Sequence, residues 1–292
     1  MRIGTRGSPL ALAQARSVAD RLGPGCEIIT VTTSGDRGSG EEDKSRWVGE
    51  LEQALIRGEI DVAVHSAKDV PAALHDELEL VAFPAREDAR DALCGARSLA
   101  ALEPGARVGT SSVRRAAQLR ALREDLEVVS LRGNVDTRLR KLHEGEVDAI
   151  VIALAGLARL GRRIEAGAVL DELVPAAGQG ALAIQARKGE ILARGLDAVS
   201  DAATTACVEA ERELVRLLDA SCHTPMGAHA GILDELQVEL VAWVGLPDGS
   251  QWIRDAVTGA PTQVARDVGE RMLAAGAGEL LRRAALSAGP GP

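Results

Sequence analysis

Four short stretches of the chain place hydroxyls and cations where a strand hands over to a helix. They are TRGS at 5–8, HSAKDVP at 65–71, GTSSVRR at 109–115 and RGNVDTR at 132–138. In open α/β sheets such junctions lie beyond the C-terminal strand ends, where helix N-termini present free backbone N–H groups and favour anions. The arginine fork bonds a carboxylate through two parallel hydrogen bonds. Arg6, Arg114, Arg115, Arg132 and Arg138 are therefore candidate contacts for a polyanionic ligand. The charge distribution agrees. Residues 107–141 hold nine Arg or Lys against four acids, a balance of +5 in a chain of net charge −9, which leaves −14 for the rest. Arg120, Arg123, Arg140 and Lys141 are assigned to solvated helix faces instead.

Asp69 differs from these. It follows an apolar strand, beside Lys68 and before Pro71. Among arginines a carboxylate stays ionised, and a fixed one can stabilise a developing cation or shuttle a proton. An Asx-turn before a proline explains the same spacing, and spacing alone supports both. Cys222 lies in DASCHTPMGAHA, where Pro225 and Gly227 predict a loop. A loop thiol near a basic site would be nucleophilic, whereas composition alone favours a buried, inert cysteine. Cys26, Cys94 and Cys207 are expected to be ordinary buried residues. The four cysteines form no CxxC pair, and no Cys/His set has zinc spacing.

The elements that must position these groups alternate between strand and helix. Strands are expected at 2–5, 27–33, 60–66, 78–83, 107–111, 126–132 and 147–155, with helices after Ser8, over 48–58, through 111–125 and from Asn134 to Gly145. Ser8-Pro9 reads as N-cap and first helical position, and Gly23 as the stop. This alternation predicts α/β architecture with mainly parallel sheets. PAAGQGALAIQAR at 175–187 reads as a crossing between domains. A helix at 202–218, strands near 236–246 and 251–257 joined by a PDG turn, and a helix to about 286 make a further unit. With 292 residues and 46% hydrophobic residues, the chain can bury a real core. One Phe, three Trp and no Tyr, with an acidic balance, argue against a nucleic-acid binder. No apolar run suits a membrane span and no signal peptide is visible, so a cytoplasmic location is expected.

TRGSPLALAQA, ELEQALIRGEIDVAVHSAKDVP, REDARDAL, VGTSSVRRAAQL, SLRGNVDTRLRKL, DAIVIALAGLARLG, AAGQGA and C-x-x-P-x-G resemble the porphobilinogen deaminase (hydroxymethylbilane synthase) family, in order, over almost the whole chain. The resemblance implies a transferase that joins four porphobilinogen molecules head to tail, releasing ammonia, to give the linear hydroxymethylbilane of tetrapyrrole biosynthesis. It implies a dipyrromethane cofactor in thioether linkage to Cys222, and Asp69 as the catalytic aspartate. Cofactor and substrate contacts carry over to Arg6, Ser8, Ser66, Lys68, Thr110, Ser112, Arg114, Arg115, Arg132, Arg138 and Gln179. Three domains are implied. Residues 1–86 with 178–199 form a catalytic lobe, and 87–177 a basic lobe that binds carboxylates. Both resemble lobes of periplasmic binding proteins. Residues 200–292 form a smaller α+β domain carrying the cysteine loop. A monomer using no metal or nucleotide is expected.

The chemistry agrees with the charge pattern. Each porphobilinogen unit carries an acetate and a propionate, so the growing product is a stack of carboxylates. Loss of ammonia leaves a cationic azafulvene that an aspartate can stabilise. The sequence also departs from the family. The segment after Gly35-Asp36 is short and acidic, RGSGEED, and residues 42–47, EDKSRW, stand where the family has a glycine-rich GGKGLF, with Lys44 as a possible lid contact. Ala220-Ser221 replaces a Gly-Gly, Gln185 stands where a glutamate is usual, and Cys207 where an arginine is common. The rival readings are a two-lobed carboxylate-binding protein without catalysis and an inactive paralogue.

Overall fold

The computed structural model describes residues 1–33, 45–189, 196–220, 224–234 and 237–287, with backbone alone at 45–47. Lys44, Ser221 and Cys222 lie outside the described residues. The chain falls into two compact units, Met1–Glu87 with Gly178–Glu209, and Asp88–Ala177 with Ala210–Pro292.

The first unit begins with β1 (Arg2–Thr5), α1 (Pro9–Leu22), β2 (Glu27–Thr30), α2 (Ser45–Ile56), β3 (Val62–Ser66) and β4 (Leu78–Ala82). Ser8 caps α1 as its sequence predicts: Oγ accepts from the Ala11 N–H at 3.2 Å, and Pro9 fills the first position. Gly23 ends it with φ +83°. Apolar residues on two helical faces make two cores. Ala15 and Val18 of α1 pack on Ile3, Val62, Val64 and Ile184. Leu51, Ala54 and Leu55 of α2 pack on Ala63 and Leu78.

In the second unit come β5 (Asp91–Cys94), β6 (Arg107–Gly109), α3 (Val113–Leu122), β7 (Glu127–Val129), α4 (Val135–His143), β8 (Ala149–Ala153), α5 (Leu154–Arg159) and β9 (Ala168–Leu170). The chain then returns to the first unit for β10 (Leu182–Arg187), α6 (Leu196–Val199) and the start of α7 (Ala202–Leu217). It closes in the second with β11 (Met226–Ile232), β12 (Val238–Gly245), β13 (Trp252–Gly259), α8 (Val264–Ala274) and α9 (Ala277–Ser287).

The two large sheets run β2-β1-β3-β10-β4 and β7-β6-β8-β5-β9, one order repeated. In each, the first three strands are parallel, and the strand entering just after the chain passes from one unit to the other, β10 or β5, pairs antiparallel on both sides. The sheets are thus mixed rather than mainly parallel. A strand that arrives from a passing segment needs no right-handed crossover and is free to run the other way. The third sheet, β11-β12-β13, is antiparallel throughout.

Two strands escape the sequence pattern and two further expectations are corrected. β5 and β9 are strands of four and three residues, too short to show a period. The loop expected around Pro225 and Gly227 gives way to β11 at Met226. Proline precedes the first ladder position, where its missing N–H costs nothing, and Gly227 is demanded by contact: a Cβ there would sit 2.6 Å from the Val174 carbonyl oxygen. The final helix is two, broken at Gly276 with φ +100°. No described helix is long and apolar enough to cross a membrane.

Candidate active site

In the first unit, Asp69 closes a single 3₁₀ turn, Ala67–Asp69, between extended Ser66 and Val70. The turn and its flanking residues are held from behind. The Ala67 N–H donates to the Ala181 carbonyl at 3.0 Å and the Val70 N–H to Ala67 at 3.2 Å. The Ser66 hydroxyl accepts from Nε2 of Gln14, buried on α1, at 2.8 Å. The Lys68 ammonium reaches Gln179 Oε1 at 3.5 Å. Gln179 is itself 1% exposed, and its carbonyl accepts from Arg86 Nε at 2.8 Å. Gly178 lies flat on the turn. Its φ is +73°, and a Cβ would stand 2.9 Å from the Ala67 carbonyl carbon and the Lys68 nitrogen. Only glycine meets both demands. Arg6 and Ser8, both half-buried, follow β1. Buried Thr5 fastens that junction by donating to the Ala11 carbonyl at 3.1 Å. Because Ser8 accepts from its helix with oxygen, its O–H hydrogen remains to be given to a ligand.

The second unit repeats the device at the N-terminus of α3. Ser112 is the N-cap, accepting from the Arg115 N–H at 3.4 Å. Buried Thr110 accepts from the Ser112 N–H at 3.2 Å and donates its own N–H to Val129. Arg138 of α4 reaches back: Nε donates to the Gly133 carbonyl at 2.8 Å and Nη2 to the Ser111 hydroxyl at 2.9 Å. RGNVDTR and GTSSVRR therefore meet at one edge. Arg132 is exposed there.

Arg114 and Arg115 have a different setting from the one their sequence position suggests. Both are about as buried as the core, at 4% and 5% exposure, and both pair with Asp91, which is fully buried at the start of β5. Arg114 Nη1 lies 2.8 Å from Asp91 Oδ2, and Arg115 Nη2 lies 2.8 Å from Oδ1. Arg114 also donates to the Val174 carbonyl at 2.7 Å, and Arg115 to the Val151 carbonyl at 3.3 Å. Burial pushes the Asp91 carboxyl up, but the charges and hydrogen bonds of the two guanidiniums outweigh it and hold the group well below the usual carboxylate range. Asp91 carried no role in the sequence analysis. Its signal was an acid opening the apolar run DALC, where an unpaired charge is not tolerated.

Two arginines assigned to solvated faces are structural clamps. Arg123 donates to the carbonyls of Leu99 at 2.6 Å and Leu102 at 3.1 Å, and Arg120 to those of Pro247 at 2.8 Å and Val128 at 3.1 Å. Arg140 and Lys141 do face water, paired with Glu144 and Glu146. Among the described residues, no group of three or more His, Cys, Asp or Glu could hold a metal ion.

Residues 1–194 match the family described as porphobilinogen deaminase, dipyromethane cofactor binding domain, and residues 205–274 match porphobilinogen deaminase, C-terminal domain. The chain is similar to the porphobilinogen deaminase of Deinococcus deserti, 45% identical and covering 97% of this chain and 96% of the relative. Its likeness to that of Acidothermus cellulolyticus is 46%, over 97% and 91%. Among solved structures it is similar to the periplasmic VFT2 domain of Bordetella pertussis BvgS, with TM-score 0.41 and 16% identity over 68% of this chain and 85% of that one.

The buried triad gives a stability prediction. Asp91→Asn leaves two buried guanidiniums without a counter-charge, a loss of about 3–5 kcal/mol, read by urea unfolding of the purified protein. The folded-state pKa of Asp91 lies below its unfolded value of about 3.9. Its contribution is therefore complete above that pH and declines as pH falls through it. The difference between wild type and variant should narrow from pH 5 to pH 2. A loss under about 1 kcal/mol at neutral pH would deny the triad its structural role.

Proposed function

The chain belongs to the porphobilinogen deaminase family, and from that premise we propose that Asp69 is the carboxylate that meets the reacting pyrrole, while hydroxyls and cations at the strand ends hold its acidic side chains. The protein is a transferase of tetrapyrrole biosynthesis that joins porphobilinogen units head to tail with release of ammonia, giving hydroxymethylbilane. It carries a dipyrromethane cofactor domain. When bound, that group supplies a covalent starting point bearing further carboxylates. Each unit by itself offers hydroxyls and cations of the kind such carboxylates need: Ser8, Ser66 and Lys68 with Arg6 and Gln179 in the first, and Thr110, Ser112, Arg132 and Arg138 in the second.

One observation carries the reading of Asp69. The turn that bears it is fixed by Gln14, Gln179, Gly178 and Ala181, so the backbone that carries the carboxylate is set before any charge develops. Preorganised charge of this kind is the largest single source of catalytic stabilisation. As ammonia leaves, the aminomethyl carbon becomes cationic, and Asp69 can neutralise it. After carbon–carbon bond formation the same carboxylate can take the pyrrole proton. Arg114 and Arg115 serve this chemistry through the fold. We keep them as proposed cofactor and substrate contacts, and their pairing with Asp91 also aims α3 and its Ser112 cap.

We read Cys222 as the thioether anchor, with Lys44 in a lid. Both lie outside the described residues, and the family match supports the reading. Cys94 suits the part poorly, because burial pushes its thiol up to about 12, and Cys207 is buried on α7. Residues 200–292 are taken as a separate third domain, in keeping with distinct family matches to 1–194 and 205–274. The free thiols of Cys26, Cys94 and Cys207 suit the reducing cytoplasm, where a monomer would act.

Asp69→Asn should keep the fold and lower kcat by about 10²–10³, and Asp69→Glu should retain a little activity. Near-normal turnover in the Asn variant would move the catalytic carboxylate elsewhere. Intact mass tests the anchor. The native protein should be heavier than its sequence by two porphobilinogen units less their ammonias, and Cys222→Ser should lose that mass while Cys94→Ser keeps it. An adduct persisting in Cys222→Ser would overturn the assignment.

A further inference from the structure

Thr110, Ser111 and Ser112 stand between β6 and α3, and each hydroxyl accepts from a different donor. Thr110 takes the Ser112 N–H at 3.2 Å and Ser112 the Arg115 N–H at 3.4 Å, both within the loop and the first turn of α3. Ser111 takes Nη2 of Arg138, 27 residues on in α4, at 2.9 Å. Nε of the same guanidinium donates to the Gly133 carbonyl at 2.8 Å. A planar fork held at two adjacent N–H donors has one orientation, whereas a fork held at one can swing about that bond. Ser111 and Gly133 together set the direction of the Arg138 guanidinium.

The backbone brings the two acceptors together. Gly109 ends β6 against Leu131: a Cβ there would lie 2.8 Å from Leu131 Cδ2 and 3.0 Å from its Cβ, so a side chain would push the two strand ends apart. The Leu131 N–H donates to the Thr110 carbonyl at 3.4 Å. Gly133 has φ +126°, and a Cβ would stand 2.7 Å from Thr137 Cγ2, so glycine alone presents its carbonyl at this spot. The first unit shows what Ser111 replaces. β1 and β6 hold the same place in sheets of one order, each between two parallel neighbours, and each leads through Gly-Thr to a capping serine. Between threonine and cap the first unit has Arg6 and Gly7, and the second has Ser111 alone. At that point the second unit carries no cation in its loop and receives one from α4.

We propose that Ser111 is a positioning residue: its hydroxyl oxygen holds the Arg138 fork at the end of β6, where the fork meets a carboxylate of the bound pyrroles. The proposal rests on the ligand contact given to Arg138 above. A long arginine side chain loses rotamer freedom when it is fixed on a ligand. With the fork already held, that loss is met on folding rather than on binding, and affinity gains.

Arginine ¹⁵N–¹H NMR and a double-mutant cycle on the holoenzyme test it. The Arg138 signal, assigned by its loss in Arg138→Lys, should show slow rotation of the guanidinium in the wild type and fast rotation in Ser111→Ala. Kinetics with porphobilinogen are referred to the cofactor-loaded fraction, read by intact mass. Ser111→Ala should raise KM about 3- to 30-fold with kcat within about twofold, the mark of lost ground-state binding. Ser111→Thr keeps the hydroxyl and should restore both readouts, and the urea midpoints of both variants should match the wild type. In an Arg138→Ala background Ser111→Ala should change KM no further, because it acts through the arginine. The same rise in KM with and without Arg138 would overturn the proposal. So would slow rotation persisting in Ser111→Ala, whether or not the Arg138 variants load cofactor. An Arg138→Ala enzyme of normal KM would instead withdraw the contact given to Arg138 and leave the NMR result standing.

Discussion

Asp91, Arg114 and Arg115 share one dry site, and an ion in such a site costs several kcal/mol unless its partners are close and well aimed. Geometry here leaves little freedom. One carboxylate offers an oxygen to each guanidinium, and each guanidinium also donates to a backbone carbonyl, Arg114 to Val174 and Arg115 to Val151. A displaced α3 would strand two charges, so the helix has one position relative to β5 and β8. The Val174 backbone is fastened twice more: Gln118 accepts from its N–H at 2.7 Å and donates to its carbonyl at 3.0 Å. Beyond it, Trp243 packs on Val174 and Ala117, and the Ala228 N–H reaches the Pro175 carbonyl at 2.9 Å. Within the second unit the third sheet is thereby fastened to the segment at Val174 and Pro175.

In the first unit Gln14, Gln179 and a glycine hold the Asp69 turn, and among the described residues no buried ion pair is used to do so. In the second unit Arg114 and Arg115 pair with buried Asp91, while Arg132 and Arg138 stand at the strand ends.

Local signals carried much of this into the sequence. Ser8-Pro9, Gly23, Asn134 and the four strand-end motifs state their structure in neighbouring residues, and the structure follows them. Long-range pairings left no such trace. β5 and β9 are too short for a period, and β11 depends on Gly227 meeting Val174, residues 53 apart. The arginines of α3 illustrate the limit best. Their spacing is the same whether they face a ligand or Asp91, and only the fold brings Asp91 to them. Arg120 and Arg123 read as solvated for the same reason, since the carbonyls they bind lie elsewhere in the chain.

Amide hydrogen exchange on the native protein, wild type against Asp91→Asn, tests most directly whether the triad organises the second unit. If it does, protection at 113–122 and at 172–175 falls together in the variant, because one carboxylate serves both. Loss confined to 91–94, with α3 and the Val174 segment still protected, would contradict it.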